Sequence, residues 1–184
     1  MSMLGISHLN EIVQSREITQ ANEVLNELRK QIKQSLRQSG QRHQSRDGID
    51  MALCVIDTKL NVMQFSGANN PLYIISTVDG KPELKEIKAD PMPVGVHLSR
   101  VKSFTNHEIK LKIGDTFYIF SDGYVDQKGG VDDKRFSSTR FKQMLLDIHD
   151  QAMYEQKEHL EKVLKEWMGD NPQRDDILVI GARV

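Results

Sequence analysis

Apolar side chains recur every three or four residues through the first part of the chain, a spacing that predicts amphipathic helices. Met1–Val13 is expected to form the first helix. The second helix is predicted more clearly, with Thr19 as its N-cap. Its apolar stripe consists of Ile18, Ala21, Leu25, Leu28, Ile32 and Leu36. Such a stripe is typical of a helix that lies on a sheet. A coiled-coil seam is the alternative, although barely three heptads are present and no flanking charges accompany them.

From Asp50 onward the pattern changes to the short apolar runs and two-residue alternation that predict strands. The predicted strands are Asp50–Asp57, Leu60–Ser66, Tyr73–Val78, Glu83–Ile87, Ser103–Lys110, Thr116–Phe120 and Ile177–Arg183. Asp79 and Gly80 predict a type I′ turn between two of them. Two further helices are expected at Ser137–Ile148 and Gln151–Met168. Strands joined by hairpins, with helices at the two ends, predict the α+β class.

The stretch between the helices and the strands is basic and polar. Residues 29–46 contain no acidic side chain, and residues 38–46 contain no apolar one. A solvated loop is the simplest interpretation, and a docking patch for an acidic partner or a phosphate is the alternative. We therefore expect one domain over 1–184, helical over 1–37, with a polar loop at 38–49, mainly strands over 50–120, and a site loop, helices and last strand over 121–184.

Length and charge exclude several classes of function. The chain has 184 residues, the length of one domain, and its 25 basic and 26 acidic side chains give a net charge of −1. This balance argues against a protein whose main task is binding nucleic acid. No apolar run approaches the roughly 18 residues of a membrane span. The single Cys54 excludes an internal disulfide and a cysteine metal site, so a cytoplasmic location is the simplest expectation.

Acidic residues stand at the ends of two predicted buried strands. Asp122 follows the strand Thr116–Phe120 directly after Ser121 and precedes Gly123, where the backbone can turn sharply. Asp126 lies four residues later, and the pair Asp175-Asp176 precedes the last strand. Such acids either cap a turn or hold a cation. Carboxylate oxygens without cysteine are suited to Mg²⁺ or Mn²⁺.

Four segments together resemble the SpoIIE-like serine phosphatases, bacterial members of the metal-dependent class related to protein phosphatase 2C. They are FSDGYVDQ (Phe120–Gln127), QRDDILVI (Gln173–Ile180), GANNPLYI (Gly67–Ile74) and PMPVG (Pro91–Gly95). Their spacing also agrees with that family, so the resemblance covers essentially the whole chain. It implies an antiparallel two-sheet sandwich flanked by helices.

The resemblance also implies roles for individual residues. Asp122 and Asp175 match the catalytic, metal-binding aspartates of the family, and Asp126 matches a further acidic position near the metals. Asp176 lies beside a ligand and has a supporting role, as does Gly123. Two asparagines, Asn69 and Asn70, predict a turn with Pro71 by propensity alone. The resemblance places them near the site as well.

The function implied is hydrolysis of phosphoserine or phosphothreonine in a protein. Two Mn²⁺ or Mg²⁺ ions would activate a water that attacks phosphorus in line. The implied substrate is a phosphorylated regulator of the anti-sigma-antagonist type in a partner-switching pathway, and an upstream sensory domain is expected. A phosphatase remnant that binds a partner without turnover is the competing hypothesis.

One departure from the family affects this hypothesis. The family has an Asp-x-x-Gly-His-Gly block that bridges the metals, whereas no Gly-His-Gly occurs in this sequence. We therefore expect a truncated domain that lacks its N-terminal strands and has little activity by itself. Open strand edges would also favour self-association.

Overall fold

A computed structural model describes residues 2–37, 48–96 and 102–184. Residues 38–47 of the predicted polar loop at 38–49 lie outside these ranges. The helices are α1 Ser2–Asn10, α2 Ala21–Ser35, α3 Gly123–Asp126, α4 Ser138–Asp147 and α5 Met153–Met168, and a π-helical turn, Glu11–Ser15, follows α1. The strands are β1 Gly48–Ile49, β2 Met51–Asp57, β3 Val62–Ala68, β4 Leu72–Val78, β5 Lys81–Ile87, β6 Val94–Gly95, β7 His107–Lys110, β8 Thr116–Phe120, β9 Lys128–Gly129, β10 Lys134–Arg135 and β11 Val179–Arg183.

The chain folds as two compact units, the first comprising Met1–Pro71 and Lys88–Leu111 and the second Leu72–Ile87 and Lys112–Val184. The prediction of one domain over 1–184 stays a prediction. Each unit has its own sheet and its own apolar core. Within the described residues, no helix combines the length and apolar character needed to cross a membrane.

In the first unit, α2 packs on the antiparallel sheet β2-β3-β7. The predicted stripe is the buried face, since Ala21, Leu25, Leu28 and Ile32 are at most 1% exposed. Leu25, Leu28 and Ile32 form a core with Val94 and other apolar residues of the same unit. The helix-on-sheet interpretation is therefore confirmed for the part of the chain that the structure describes.

Two expectations at element ends in this unit were wrong. Thr19 is not the N-cap of α2, because the helix begins at Ala21, whose N–H donates to Gln64 Oε1 of β3 at 3.2 Å. Leu60 lies in a turn outside the strand, because Asp57 Oδ1 accepts hydrogen bonds from the N–H groups of Lys59 and Leu60 at 2.9 and 3.0 Å.

The other corrections concern the segments on either side of the sheet. Gly48–Ile49 is not loop but strand β1, which pairs with β6. The strand expected over Ser103–Lys110 begins only at His107. The N–H of Phe104 donates instead to Asn26 Oδ1 at 3.1 Å, and that of Thr105 donates to Asp90 Oδ2 at 2.7 Å. These two N–H groups thus bond to side-chain oxygens and not to the backbone of a neighbouring strand.

The second unit is built on a four-stranded antiparallel sheet in the order β11-β8-β4-β5. The β4–β5 hairpin turns at Asp79 and Gly80, whose φ values of 49° and 74° confirm the type I′ turn. Helices α4 and α5 contribute to an aromatic core on this sheet. Within it, Phe120 lies 4.7 Å from Tyr73 and 4.9 Å from Phe141, measured between ring centroids.

Candidate active site

The first acidic segment of the site lies where β8 ends. Strand β8 finishes at Phe120, Ser121 leads out of it, and the short helix α3 begins at Gly123. Asp122 stands directly before α3, its residue surface is exposed, and its carbonyl oxygen accepts a hydrogen bond from the N–H of Asp126 at 2.9 Å. The sharp exit from a buried strand therefore presents Asp122 at the surface, as the sequence suggested.

The second acidic segment is held directly against the first. Strand β11 pairs with β8, with Val179 opposite Phe120. Beyond that pair, the N–H of Ser121 donates to the carbonyl of Leu178 at 3.0 Å, and the N–H of Leu178 donates to Ser121 Oγ at 3.0 Å. The Ser121 hydroxyl also donates to the carbonyl of Asp176 at 2.7 Å. Ser121, which the sequence marked only as part of a motif, thus joins the two acidic segments.

Gly123 is required by the same close approach. A Cβ built on Gly123 would overlap the carbonyl oxygen of Asp176 and would lie 3.1 Å from Ile177 Cγ1. The Asp176 backbone therefore packs directly on Gly123, and a supporting role of Asp176 in the site stays a prediction. The predicted strand from Ile177 begins only at Val179, because Leu178 makes these loop contacts instead.

A cavity of about 220 Å³ lies beside these segments in the second unit. We call it the acidic-basic cavity, because the carboxylate residues Asp126 and Asp175 and three basic residues line it. The basic residues are Lys128, Arg135 and Arg174. Asp126 Oδ1 forms an ion pair with Arg135 Nη1 at 3.0 Å. The structure thus brings Asp126 and Asp175 to the same cavity.

Gln127 is a buried residue whose side chain is hydrogen-bonded to the backbone of three residues at or near this cavity. Only 1% of it is exposed. Its side-chain amide donates to the carbonyls of Lys128 and Pro172 at 3.0 and 3.1 Å, and its Oε1 accepts from the N–H of Arg174 at 3.4 Å. Its own carbonyl accepts from Trp167 Nε1 at 3.0 Å. A buried glutamine is uncommon, but nothing in the sequence around it distinguished it from a solvated side chain.

The donor chemistry of the acidic segments fits a hard divalent cation. Asp122, Asp126 and Asp175 supply carboxylate oxygens, the ligands that Mg²⁺ and Mn²⁺ prefer. Within residues 2–37, 48–96 and 102–184, however, no group of three or more His, Cys, Asp or Glu side chains is arranged to hold a metal. Since Mg²⁺ is usually bound through one or two carboxylates and several waters, the donors suit weak binding.

The two predicted asparagines belong to the first unit. Asn69 has a φ of 61°, and its Nδ2 donates to Asp50 Oδ1 at 2.8 Å. The N–H of Asn70 donates to the carbonyl of Ala68 at 2.8 Å. These bonds make the segment a turn, as its propensity predicted, and its place near the metals stays a prediction.

Comparison with known proteins identifies the family. The family model for stage II sporulation protein E (SpoIIE) matches residues 1–184. The chain belongs to the SpoIIE family. No curated protein matches it significantly.

Solved structures of PP2C phosphatases have the same fold. The SiaA-PP2C domain of Pseudomonas aeruginosa is 29% identical with a TM-score of 0.86, and the match covers 100% of this chain and 68% of that one. The PP2C phosphatase domain of SpoIIE from Bacillus subtilis, with a fragment of its regulatory domain, is 16% identical with a TM-score of 0.70, covering 98% and 48%. PppA of P. aeruginosa is 19% identical with a TM-score of 0.62, covering 99% and 78%. The predicted fold class, α+β with antiparallel sheets and flanking helices of the PP2C type, is confirmed.

Proposed function

We propose that this member of the SpoIIE family removes phosphate from phosphoserine or phosphothreonine in a protein, with Mn²⁺ or Mg²⁺ as cofactor. One observation carries the proposal: Ser121 joins the Asp122 segment to the Asp176 backbone, and carboxylates and basic residues line a cavity beside them. A phosphatase that acts on a dianionic group needs both metal-binding oxygens and cationic groups at one place.

In this proposal, Asp122 and Asp175 are the metal ligands, and Asp126 is a further acidic group near the metal. When bound, a divalent cation would lower the pKa of a coordinated water and offset the negative charge of a phosphoryl group. Asp176 and Gly123 keep the two ligand-bearing segments in contact through their backbones. Ser121 does the same through its hydroxyl.

The substrate class is proposed from the resemblance of the motifs. We infer a phosphorylated regulator of the anti-sigma-antagonist type, a partner-switching pathway in the cytoplasm, and a sensory domain in the whole protein. A chain that contains the RsbU and RsbW domains of Rv1364c from Mycobacterium tuberculosis has a similar fold over 46% of its length, at 18% identity. PppA is a key regulatory component of T6SS in P. aeruginosa.

A non-catalytic remnant that binds a partner is the second candidate. It is favoured by the absence, within the described ranges, of a cluster of three metal-binding side chains. For the same reason we expect the turnover of this chain by itself to be slow.

The test measures Mn²⁺ binding by calorimetry and release of phosphate from a phosphoserine peptide by the full chain. We expect weak Mn²⁺ binding that Asp122→Asn and Asp175→Ala each abolish, and slow phosphate release that Asp122→Asn abolishes as well. Asp170→Asn is the matched control, because Asp170 is an exposed aspartate in the loop after α5.

Three results would contradict parts of the proposal. Equal Mn²⁺ binding by the native chain and Asp175→Ala would show that Asp175 is not a ligand. Binding of a partner without any Mn²⁺-dependent phosphate release would favour the remnant. Rapid turnover by the native chain would instead contradict our expectation of slow phosphate release.

A further inference from the structure

More basic than acidic residues line the acidic-basic cavity, although a metal site needs only acidic ones. Lys128, Arg135 and Arg174 line it together with only two carboxylate residues. Arg135 is paired with Asp126 at 3.0 Å, and Lys128 Nζ lies 3.6 Å from Asp133. None of the ion pairs that join described residues involves Arg174. Arg174, an exposed residue that lines this cavity, is therefore in a position to bind a ligand.

We propose that Arg174, assisted by Arg135 and Lys128, binds the phosphoryl group of the substrate in this cavity. The inference deepens the proposed function, since it rests on a phosphoprotein substrate and assigns the residues that hold its phosphate. Arg174 is the principal group, and its neighbour in sequence, Asp175, is a proposed metal ligand that lines the same cavity.

Charge favours an anion even without a metal, since three basic residues and only two acidic ones line the cavity. A divalent cation on Asp175 would offset the charge of that carboxylate, and Arg135 already offsets that of Asp126. The remaining side-chain charges of the cavity are then positive. A phosphate dianion would gain attraction from each of them, and the gain is larger in a partly enclosed site than in open solvent.

The backbone of Arg174 is anchored before any ligand arrives. Its N–H donates to the buried Gln127 Oε1 at 3.4 Å, while the Gln127 amide holds Pro172 on one side and Lys128 on the other. The N–H of Phe136, next to Arg135, donates to the Gln127 carbonyl at 3.0 Å. The backbone at or next to each of the three basic residues is therefore hydrogen-bonded to Gln127, through either its side chain or its carbonyl. This anchoring lowers the entropic cost of assembling an anion site.

Guanidinium chemistry matches a phosphoryl group specifically. Arginine presents a planar fork of N–H donors that binds two phosphate oxygens at once, whereas a lysine ammonium acts as a point charge. A carboxylate ligand would accept the same fork, but it carries a single charge. We therefore expect a phosphorylated side chain to bind in preference to its unmodified or acidic counterpart.

The experiment measures binding to the full chain without metal. The probes are inorganic phosphate, a phosphoserine peptide, and the same peptide with serine or glutamate in place of phosphoserine. Binding is followed by calorimetry and by ³¹P chemical shift. We expect Arg174→Ala to weaken binding of both phosphate probes about tenfold, as loss of a charged hydrogen bond predicts, and Arg174→Lys to recover part of it.

A matched control removes an equal charge elsewhere in the same unit. Lys162 lies on the exposed side of α5 and is 74% exposed at its side chain. Lys162→Ala should leave the affinity for phosphate unchanged. Because the hydrogen bond between Arg174 and Gln127 uses the backbone N–H of Arg174, Arg174→Ala keeps it and should fold, and circular dichroism of the variant checks this.

The outcomes separate this inference from the proposed function. Equal phosphate binding by the native chain and Arg174→Ala would overturn the inference. Unchanged KM for a phosphopeptide in Arg174→Ala, with turnover intact, would overturn it while the phosphatase proposal stands. Arg174-dependent phosphate binding without any Mn²⁺-dependent hydrolysis would support the anion site and contradict the enzyme. Binding of inorganic phosphate but not of the phosphopeptide would overturn the assignment to substrate.

Discussion

Replacement of Gln127 by alanine tests whether the buried amide holds the candidate site together. The substitution removes the side-chain hydrogen bonds to Lys128, Pro172 and Arg174, at 3.0, 3.1 and 3.4 Å. A net contribution of about 0.5–1.5 kcal/mol for each bond predicts a loss near 3 kcal/mol, because the residue is only 1% exposed and its partners are left without a donor or acceptor.

Urea denaturation followed by Trp167 fluorescence measures this loss. Trp167 is the only tryptophan, and its indole N–H donates to the Gln127 carbonyl, so its emission reports on this part of the second unit. Gln143→Ala is the matched control, since that amide is exposed and bonds only to Asp147 Oδ1 among described side chains. We expect the control to change the free energy of unfolding by less than about 0.5 kcal/mol.

The variant Gln127→Glu separates hydrogen bonding from volume. Glutamate has the same shape and retains an acceptor for Arg174, but its ionised form cannot donate to the Pro172 carbonyl. It should therefore destabilise the chain by an amount similar to alanine. If Gln127→Ala loses less than about 1 kcal/mol, the amide does not anchor these segments and the reasoning is refuted.

Three further predictions concern packing, association and pH. Gly123→Ala should lower the free energy of unfolding by about 1–3 kcal/mol in urea, because its methyl group would overlap the Asp176 carbonyl; an unchanged midpoint would contradict the close approach. The chain should self-associate in a light-scattering concentration series, because β11 is an edge strand among the described strands and Ile180 on it is 47% exposed. Ile180→Lys should reduce the association, and a monomer at all concentrations would contradict the prediction. Burial raises the pKa of Tyr73 and of Tyr118 from 10.0 to about 12. The free energy of unfolding should therefore fall as the pH rises from 10 toward 12, and a urea midpoint that stays constant over that interval would contradict this.

The sequence predicted best what local chemistry decides. Asp79 and Gly80 form the type I′ turn that their residue types require, and the α2 stripe is the buried face of its helix. Two of the predictions that failed depended on distant residues. At the start of α2, the N–H of Ala21 donates to Gln64, 43 residues away, and Thr19 is not the N-cap. Phe104 lies outside the predicted strand because its N–H donates to Asn26, 78 residues away.

The candidate site shows the same limit. The sequence singles out Asp122 and Asp175 because each follows or precedes a recognisable strand within a motif, and their role as metal ligands stays a prediction. Gln127 and Arg174 are 47 residues apart and come together only when the α5 region is folded, so no local pattern indicates their hydrogen bond. The Arg135 ion pair with Asp126 likewise requires the β9–β10 hairpin.

The two units are interleaved along the chain, and this determines how the protein can acquire its structure. The chain leaves the first unit after Pro71, returns at Lys88, and leaves again after Leu111. Strand β4 belongs to the earlier segment of the second unit, yet it pairs with β8 of the later segment, with Ile75 opposite Thr116. Such long-range pairing slows folding, since loop-closure entropy is lost before the contacts form. A fragment confined to Leu72–Ile87 or to Lys112–Val184 would lack either β8 or β4, so neither of these pieces should refold as the second unit after limited proteolysis.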